Sequence, residues 1–413
     1  MFPGAPLLVL LIFTTATVFV RAAWALESFQ IGIYLLVAAC LIAGIRKGKE
    51  DLAEGWTAWL VYLIPLWGVL QLVAHTTASS HETREATLRW GSLAGVFFLS
   101  QIVGRSRAAR HVALHAFLYF EVAMAVLCIA QLFTSRGRVL WVFSSGYPFV
   151  FATFPYSNNY VQFVELALPI ALWWGLRRGW CSWGYALAAG VLYASVIGSA
   201  SRAGAALCTA ELLVMLGAGL FWSWRQKPGW SLRSTVAMLA LAPIVAAVLT
   251  LAVGWQRVWQ RFFQPDPYGA RKEFLLAAVD MMEHRPLTGY GLDTFPEVYQ
   301  QHAIAALDMY ANHAHNDWAE FAADGGIPFL LLVMVPFASA IPAAVRHPWG
   351  LGLIAVMLNA CVDYPFPRPA VSGWMFAMLG LLFMEKTADR QRLRHTTTPS
   401  AAENVASVLE LKR

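Results

Sequence analysis

The residues able to do chemistry gather between Trp255 and Gly326, most densely in His313-Ala-His315-Asn316-Asp317-Trp318-Ala-Glu320-Phe-Ala-Ala-Asp324-Gly325-Gly326. This is the one long polar segment between two hydrophobic spans, and it gathers arginines, histidines and carboxylates that the hydrophobic spans mostly avoid. An imidazole titrates near neutral pH and can take a proton from an attacking hydroxyl. His315 is a candidate for that role; plain polar surface is the alternative. Asp317-Trp-Ala-Glu320 has capping-box form, with Asp317 as the N-cap and Gly325-Gly326 as the stop. His315 and Asn316 then stand just before a helix N-terminus, whose unpaired N–H groups suit a phosphate.

Two arginines offer a complementary chemistry. Arg202, in Ser199-Ala-Ser201-Arg202-Ala-Gly204, stands at the end of a span among small residues that let other groups approach. A charge so close to hydrocarbon faces a partner or a watery cavity, or simply flanks the span. Arg271 heads a segment ending at His284 in which Phe274, Leu275, Val279 and Met282 fall near helical spacing. Guanidinium forks bind phosphate oxygens in bidentate fashion, so the pair could grip a pyrophosphate; a solvated helix face is the plainer reading of Arg271. His302, His313, His315 and Asp317 could instead ligate a metal, but His-x-His alone is no zinc signature, and the reading adopted has no metal and no cofactor. Gly289-Tyr-Gly291 follows no strand, which excludes a dinucleotide fingerprint.

The elements around these residues are hydrophobic. The 413-residue chain is 58% apolar and 13% charged, far below the roughly 25% charge usual in soluble domains. Its expected fold is all-α and polytopic, with about twelve apolar stretches read as membrane spans, most of them near the roughly 17–25 residues a crossing needs. These run over 7–20, 29–45, 56–74, 88–104, 112–133, 160–176, 182–199, 203–222, 234–254, 327–345, 350–362 and 370–384. The first has no basic n-region or cleavage site before Arg21 and is expected to be retained. Cys40, Cys128, Cys181, Cys208 and Cys361 lie in or beside spans without paired spacing, so no disulfide framework is implied. The net charge of +6 resides in short connections and indicates topology, not nucleic acid.

With the N-terminus inside, the inner short connections hold twelve Lys and Arg against seven outside, and the tail adds six more inside. Both termini are thus expected in the cytoplasm, with loop 255–326 in the periplasm. That loop is expected to carry a helix from Arg271 to Arg285-Pro286 and another from Phe295 to Leu307. The aromatic segment Trp141–Asn159 reads as an interfacial anchor or as part of a lipid-substrate groove. The tail, 385–413, reads as solvated and disordered.

Several of these motifs together resemble the O-antigen ligase and polymerase superfamily. They are Ser-x-Ser-Arg202-x-Gly, the Arg-led helix ending Arg285-Pro286-Leu-Thr-Gly289-Tyr-Gly291-Leu-Asp-Thr-Phe295, and His315-Asn316-Asp317 with Glu320 and Gly325-Gly326. Thr153-Phe154 with Asn158-Asn159, and Asp363-Tyr-Pro365, are similar features. Where the family has an asparagine-histidine pair, this chain has Asn158-Asn159-Tyr160, and His313 is an extra histidine. The resemblance divides the chain into N-terminal helices 1–152, a catalytic region 153–384 and a tail 385–413.

It implies an inner-membrane glycosyltransferase of the GT-C type that takes a glycan from undecaprenyl pyrophosphate without metal or nucleotide sugar. Arg202 and Arg271 become pyrophosphate clamps and His315 the base, with His313, Asn316 and Asp317 completing the substrate region. Direct displacement inverts the anomeric centre. The implied partners are the lipid-linked donor, a lipid A core or other glycan acceptor, and membrane lipids. Polymerisation of lipid-linked units and transfer to a protein hydroxyl use the same donor; the single large loop after the ninth span resembles the ligase branch. A lipid or glycan transporter is the reading from another class, but it predicts midplane charges and repeat symmetry.

Overall fold

Each of the twelve apolar stretches falls on a helix in the computed structural model, which describes residues 3–47, 55–177, 182–256, 259–260, 263, 269–304 and 310–397. In chain order the helices are α1 (Gly4–Ala16), α2 (Ala23–Lys47), α3 (Trp56–Val73), α4 (Ser80–Gly104), α5 (Arg107–Thr134), α6 (Ser157–Arg177) and α7 (Ser182–Ser199). They continue with α8 (Arg202–Trp224), α9 (Leu232–Val253), α10 (Ala270–His284), α11 (Phe295–His302), α12 (Asp317–Arg346), α13 (Leu351–Asn359) and α14 (Pro369–Thr397). A small antiparallel hairpin, β1 (Arg138–Val139) with β2 (Phe143–Ser144), lies between α5 and α6.

Among the described residues, six helical segments are long and apolar enough to cross a membrane: Ala23–Ile45, Trp56–Val73, Arg107–Thr134, Arg202–Trp224, Leu232–Ala252 and Asp317–Arg346. They leave large apolar side chains exposed, among them Ile31, Leu35, Trp59, Val112, Leu213 and Leu251, the surface that lipid would cover. The chain is a multi-pass membrane protein on this evidence, with fewer clear spans than the twelve expected. At 1.5 Å per residue, the 13-residue α1 reaches only about 20 Å against the roughly 30 Å of hydrocarbon, and α13, with 9 residues, is shorter still.

Helix α6 lies at the centre. Every residue from Asn159 to Leu176 is buried, so protein surrounds this mostly apolar helix on every side. Its buried Gln162 donates to Asn359 on α13, which in turn donates to the buried Glu165. It packs against α5, α7, α8, α9, α13 and α14. Within the same core an aromatic cluster centres on Trp90, whose ring meets Phe321, Phe329, Phe366 and Phe376 at centroid distances of 5.5–6.1 Å. It fixes α12 and the segment before α14 against α4.

The loop is anchored to the N-terminal helices. Gln71 on α3 donates to the carbonyls of Thr288 (2.7 Å) and Asp324 (2.9 Å) and accepts from the Leu292 N–H (3.1 Å). Arg89 on α4 pairs with Asp293 at 2.6 Å.

Four local expectations change. The N-cap of α12 is Asn316, whose side chain accepts from the Ala319 N–H at 3.0 Å, so Asp317 is the first helical residue; both types cap well, and the register decides. Gly326 is a kink and not a stop. Its φ of +72° and ψ of 176° leave the helical region, and the helix resumes at once. A Cβ there would lie 2.6 Å from the Leu287 carbonyl carbon, so glycine is required twice over. Helix α11 ends at His302, and Leu307 lies outside the described residues. Finally, α14 continues through Thr397 instead of ending near Met384. Glu385 pairs with Arg110 (2.8 Å), Lys386 donates to the Ser339 carbonyl (3.0 Å) and His347 meets Asp389 (3.2 Å); such contacts hold a polar helix that composition alone reads as solvated. The rest of the tail, 398–413, lies outside the described residues, as does Cys181.

Candidate active site

Four of the six candidate residues converge. Arg202, Arg271, His313 and His315 all line one cavity of about 830 Å³, within the range of cofactor and substrate pockets. They arrive from three directions: Arg202 from the first turn of α8, Arg271 from the first turn of α10, and the histidines from the chain entering α12.

Arg202 is placed by a tight entry. Ser201 caps α8 by accepting from the Gly204 N–H, and Ala200 before it has a φ of +57°. Gly204 permits close packing on α6, since a Cβ there would lie 1.9 Å from Val161 Cγ1. Gly204→Ala is therefore expected to shift α8 and its arginine, at a cost of about 1–3 kcal/mol. Thermal unfolding and transfer rate should both fall, and Val161→Ala in the same chain should restore part of each.

Arg271 donates from Nη1 to the Val362 carbonyl at 3.1 Å, and its Nη2 lies 3.8 Å from Asp363 Oδ2. Its side chain keeps about a third of its surface open, 36%. Phe274, one turn on, stacks parallel to His315 across 6.5 Å.

His315 stands at a φ of +52°, a conformation uncommon outside glycine, and its placement is thus imposed by the surroundings. Its Nδ1 is 3.4 Å from Asp363 Oδ1, facing the carboxylate without the alignment of a good hydrogen bond. Asn316 donates to the Cys361 carbonyl (2.9 Å), and Asp317 accepts from the Phe366 N–H (3.0 Å) while its own N–H reaches the Ala360 carbonyl (2.9 Å). These two tie the histidine loop to 360–366 and are not themselves in the cavity wall. His313 is occupied differently: its Nδ1 is 2.8 Å from Glu320 Oε1, and Glu320 also accepts from the Ala314 N–H at 2.6 Å.

Asp363 is the hub of the site, and sequence reasoning gave it no role beyond a family feature. It accepts from the Asn158 side chain and from the Tyr364 N–H, and it faces both Arg271 and His315. Burial alone would raise its pKa, but His315, Arg271 and the Asn158 amide together hold it below the usual carboxylate range. Tyr364 packs its ring on His313 (4.4 Å) and edge-on to His315 (4.9 Å), and burial pushes its hydroxyl up to about 12. A carboxylate between two late spans was the available signal, since such a charge rarely stands idle near a membrane.

A base beside an anion, facing two guanidinium groups across one cavity, is an arrangement for moving a proton at one point and receiving negative charge at another. Residues 186–334 match the family model for O-antigen ligase. Over that part of the chain the match agrees with the superfamily resemblance seen in the motifs. The matched stretch includes Arg202, Arg271, His313, His315, Asn316 and Asp317, while Asn158, Asp363 and Tyr364 lie outside it. An O-antigen ligase match supports ligase- or polymerase-type activity in general and lipid-linked glycans as the class of substrate. No curated protein matches the chain.

The four groups weighed as metal ligands do not assemble. His302 contacts Asp280 at 2.6 Å, His313 and His315 face separate carboxylates, and Asp317 is buried. Among the described residues, Asp280, His284 and His302 are the group whose ligand atoms lie within 4.8 Å of one another.

Proposed function

We propose that the chain is an inverting, metal-independent glycosyltransferase of the GT-C type at the periplasmic face of the inner membrane. It moves a glycan from undecaprenyl pyrophosphate to an acceptor hydroxyl, as an O-antigen ligase acting on lipid A core. The observation that carries the reading is the convergence of Arg202, Arg271 and the His315–Asp363 pair on one cavity.

The acceptor hydroxyl attacks the anomeric carbon of the donor, and its proton passes to Nε2 of His315. The bond from that carbon to the pyrophosphate oxygen breaks as the new glycosidic bond forms. Asp363, facing Nδ1, holds the ring and stabilises the imidazolium. Arg202 and Arg271 receive the charge that grows on the departing pyrophosphate, a contribution of the kind that is usually largest in such reactions. Asn316 and Asp317 act through position, by fixing the loop that carries the base.

Purified protein given undecaprenyl-pyrophosphate-linked glycan, with and without lipid A core, tests this. Product only with core is expected. Longer lipid-linked chains without core would make it a polymerase, and no transfer in either mixture would revive the protein-acceptor and transporter readings.

A further inference from the structure

A second cavity, of about 1130 Å³, lies beside the first. Tyr156, Asn159 and Asn312 stand in the walls of both, so their contents meet at that boundary. The lining of the second contains Arg21 and Arg368 and no Asp or Glu. Arg21 comes from the connection between α1 and α2, Arg368 from the residue before α14. Arg368 lies over the ring of Tyr156, whose hydroxyl is hydrogen-bonded to that of Tyr147 in the same wall.

Arg368 is held over the rings of Tyr156 (5.6 Å) and Tyr364 (5.4 Å), and its Nε is buried without a hydrogen-bond partner. Among the described residues neither takes part in an arginine–carboxylate pair, as Arg89, Arg110, Arg271 and Arg346 do. Tyr364 is also the ring against His315. Arg368 therefore stands one aromatic ring away from the candidate base. The rest of the wall is apolar on one side, where Phe19 and Phe143 meet at 4.9 Å and Trp24 is half exposed.

Arg368 is partly buried with an unpartnered Nε, and the exposed Arg21 adds a second guanidinium fork to a wall with no competing carboxylate, so an anion can engage both. The apolar side suits an amphiphile. We infer that this second cavity seats the acceptor, and that Arg21 and Arg368 bind an anionic group, a phosphate or a sugar carboxylate, carried by a glycolipid acceptor. The inference rests on the transferase reading. It adds the chemistry by which the acceptor is recognised and the wall that presents its hydroxyl to His315.

Binding can be read without turnover. Lipid A core bearing its phosphates, and the same glycolipid after phosphatase treatment, are titrated against protein in phosphatidylcholine nanodiscs. The proteins are wild type, Arg21→Gln/Arg368→Gln and, as a control outside both cavities, Arg346→Gln. Loss of charged hydrogen bonds should weaken the double variant for the phosphorylated probe by at least about tenfold, with Arg346→Gln near wild type and Arg368→Lys partly restored. Equal affinity of wild type and double variant for that probe would overturn the subsite, whatever the transfer assay shows. Discrimination that survives phosphatase assigns the anion to a sugar carboxylate. Wild type that binds the probe but transfers nothing sinks the transferase reading and leaves the subsite standing. Should the double variant fail to insert, Arg21→Gln alone, outside every helix, carries the same comparison.

Discussion

His315→Ala is expected to lower the transfer rate by about 100- to 10,000-fold, the range for losing a positioned general base. Donor affinity should change little, because the imidazole is assigned to the acceptor proton and not to the pyrophosphate. Asp363→Asn should act in the same direction without removing the ring, since an amide holds geometry but does not stabilise an imidazolium. The neighbouring histidine supplies the control. His313 already engages Glu320 at 2.8 Å, so His313→Ala should disturb the loop less than His315→Ala disturbs the rate. Initial rates of the purified variants decide it: full activity in His315→Ala with none in His313→Ala would move the base to His313.

Asp363 adds a pH signature. Burial would push its pKa up, but the surrounding donors and charges hold it below the ordinary range. A carboxylate depressed in the fold contributes stability that is fully present above its unfolded pKa and is lost as pH falls through the folded value. Wild type should lose thermal stability on the acid side of the ordinary carboxylate range, and Asp363→Asn should show a flatter dependence there.

Removing either clamp comes next in size. Arg202→Ala or Arg271→Ala is expected to slow transfer by about 100-fold or more if each makes a preorganised contact with the leaving pyrophosphate. Arg271 needs a finer dissection, because it also binds the Val362 carbonyl and faces Asp363. Arg271→Lys keeps the charge and gives up the fork. A lysine variant that regains most of the rate would assign the effect to charge; one as slow as alanine would assign it to the bidentate grip and the tether. Either alanine variant that is well inserted and fully active would sink the clamp.

The sequence carried some of this site openly. Arg202 and Arg271 were visible because each stands where a helical pattern starts, and His315 because a capping pattern followed it. What it hid were contacts across sequence distance. Asp363 reaches His315 from 48 residues away and Asn158 from 205, and no local period or spacing records that meeting. Tyr364 and Arg368 were hidden for the same reason: their meaning depends on which rings they lie against. The cap moved from Asp317 to Asn316 because both side chains satisfy a helix start equally and tertiary bonds to 360–366 choose between them. In the fold, hydropathy located the twelve helices but did not rank them, since a helix buried in protein and one facing lipid are both apolar.

The bonds from Gln71 and Arg89 to the large loop bear on how such chains can be recombined. The loop holds most of the reactive side chains, yet its turn at 288–293 is seated on α3 and α4, more than two hundred residues earlier. A loop exchanged between relatives to alter sugar preference would arrive without its seat. The transferable unit is the loop together with the first helices, a split cassette whose two halves have to be moved as one.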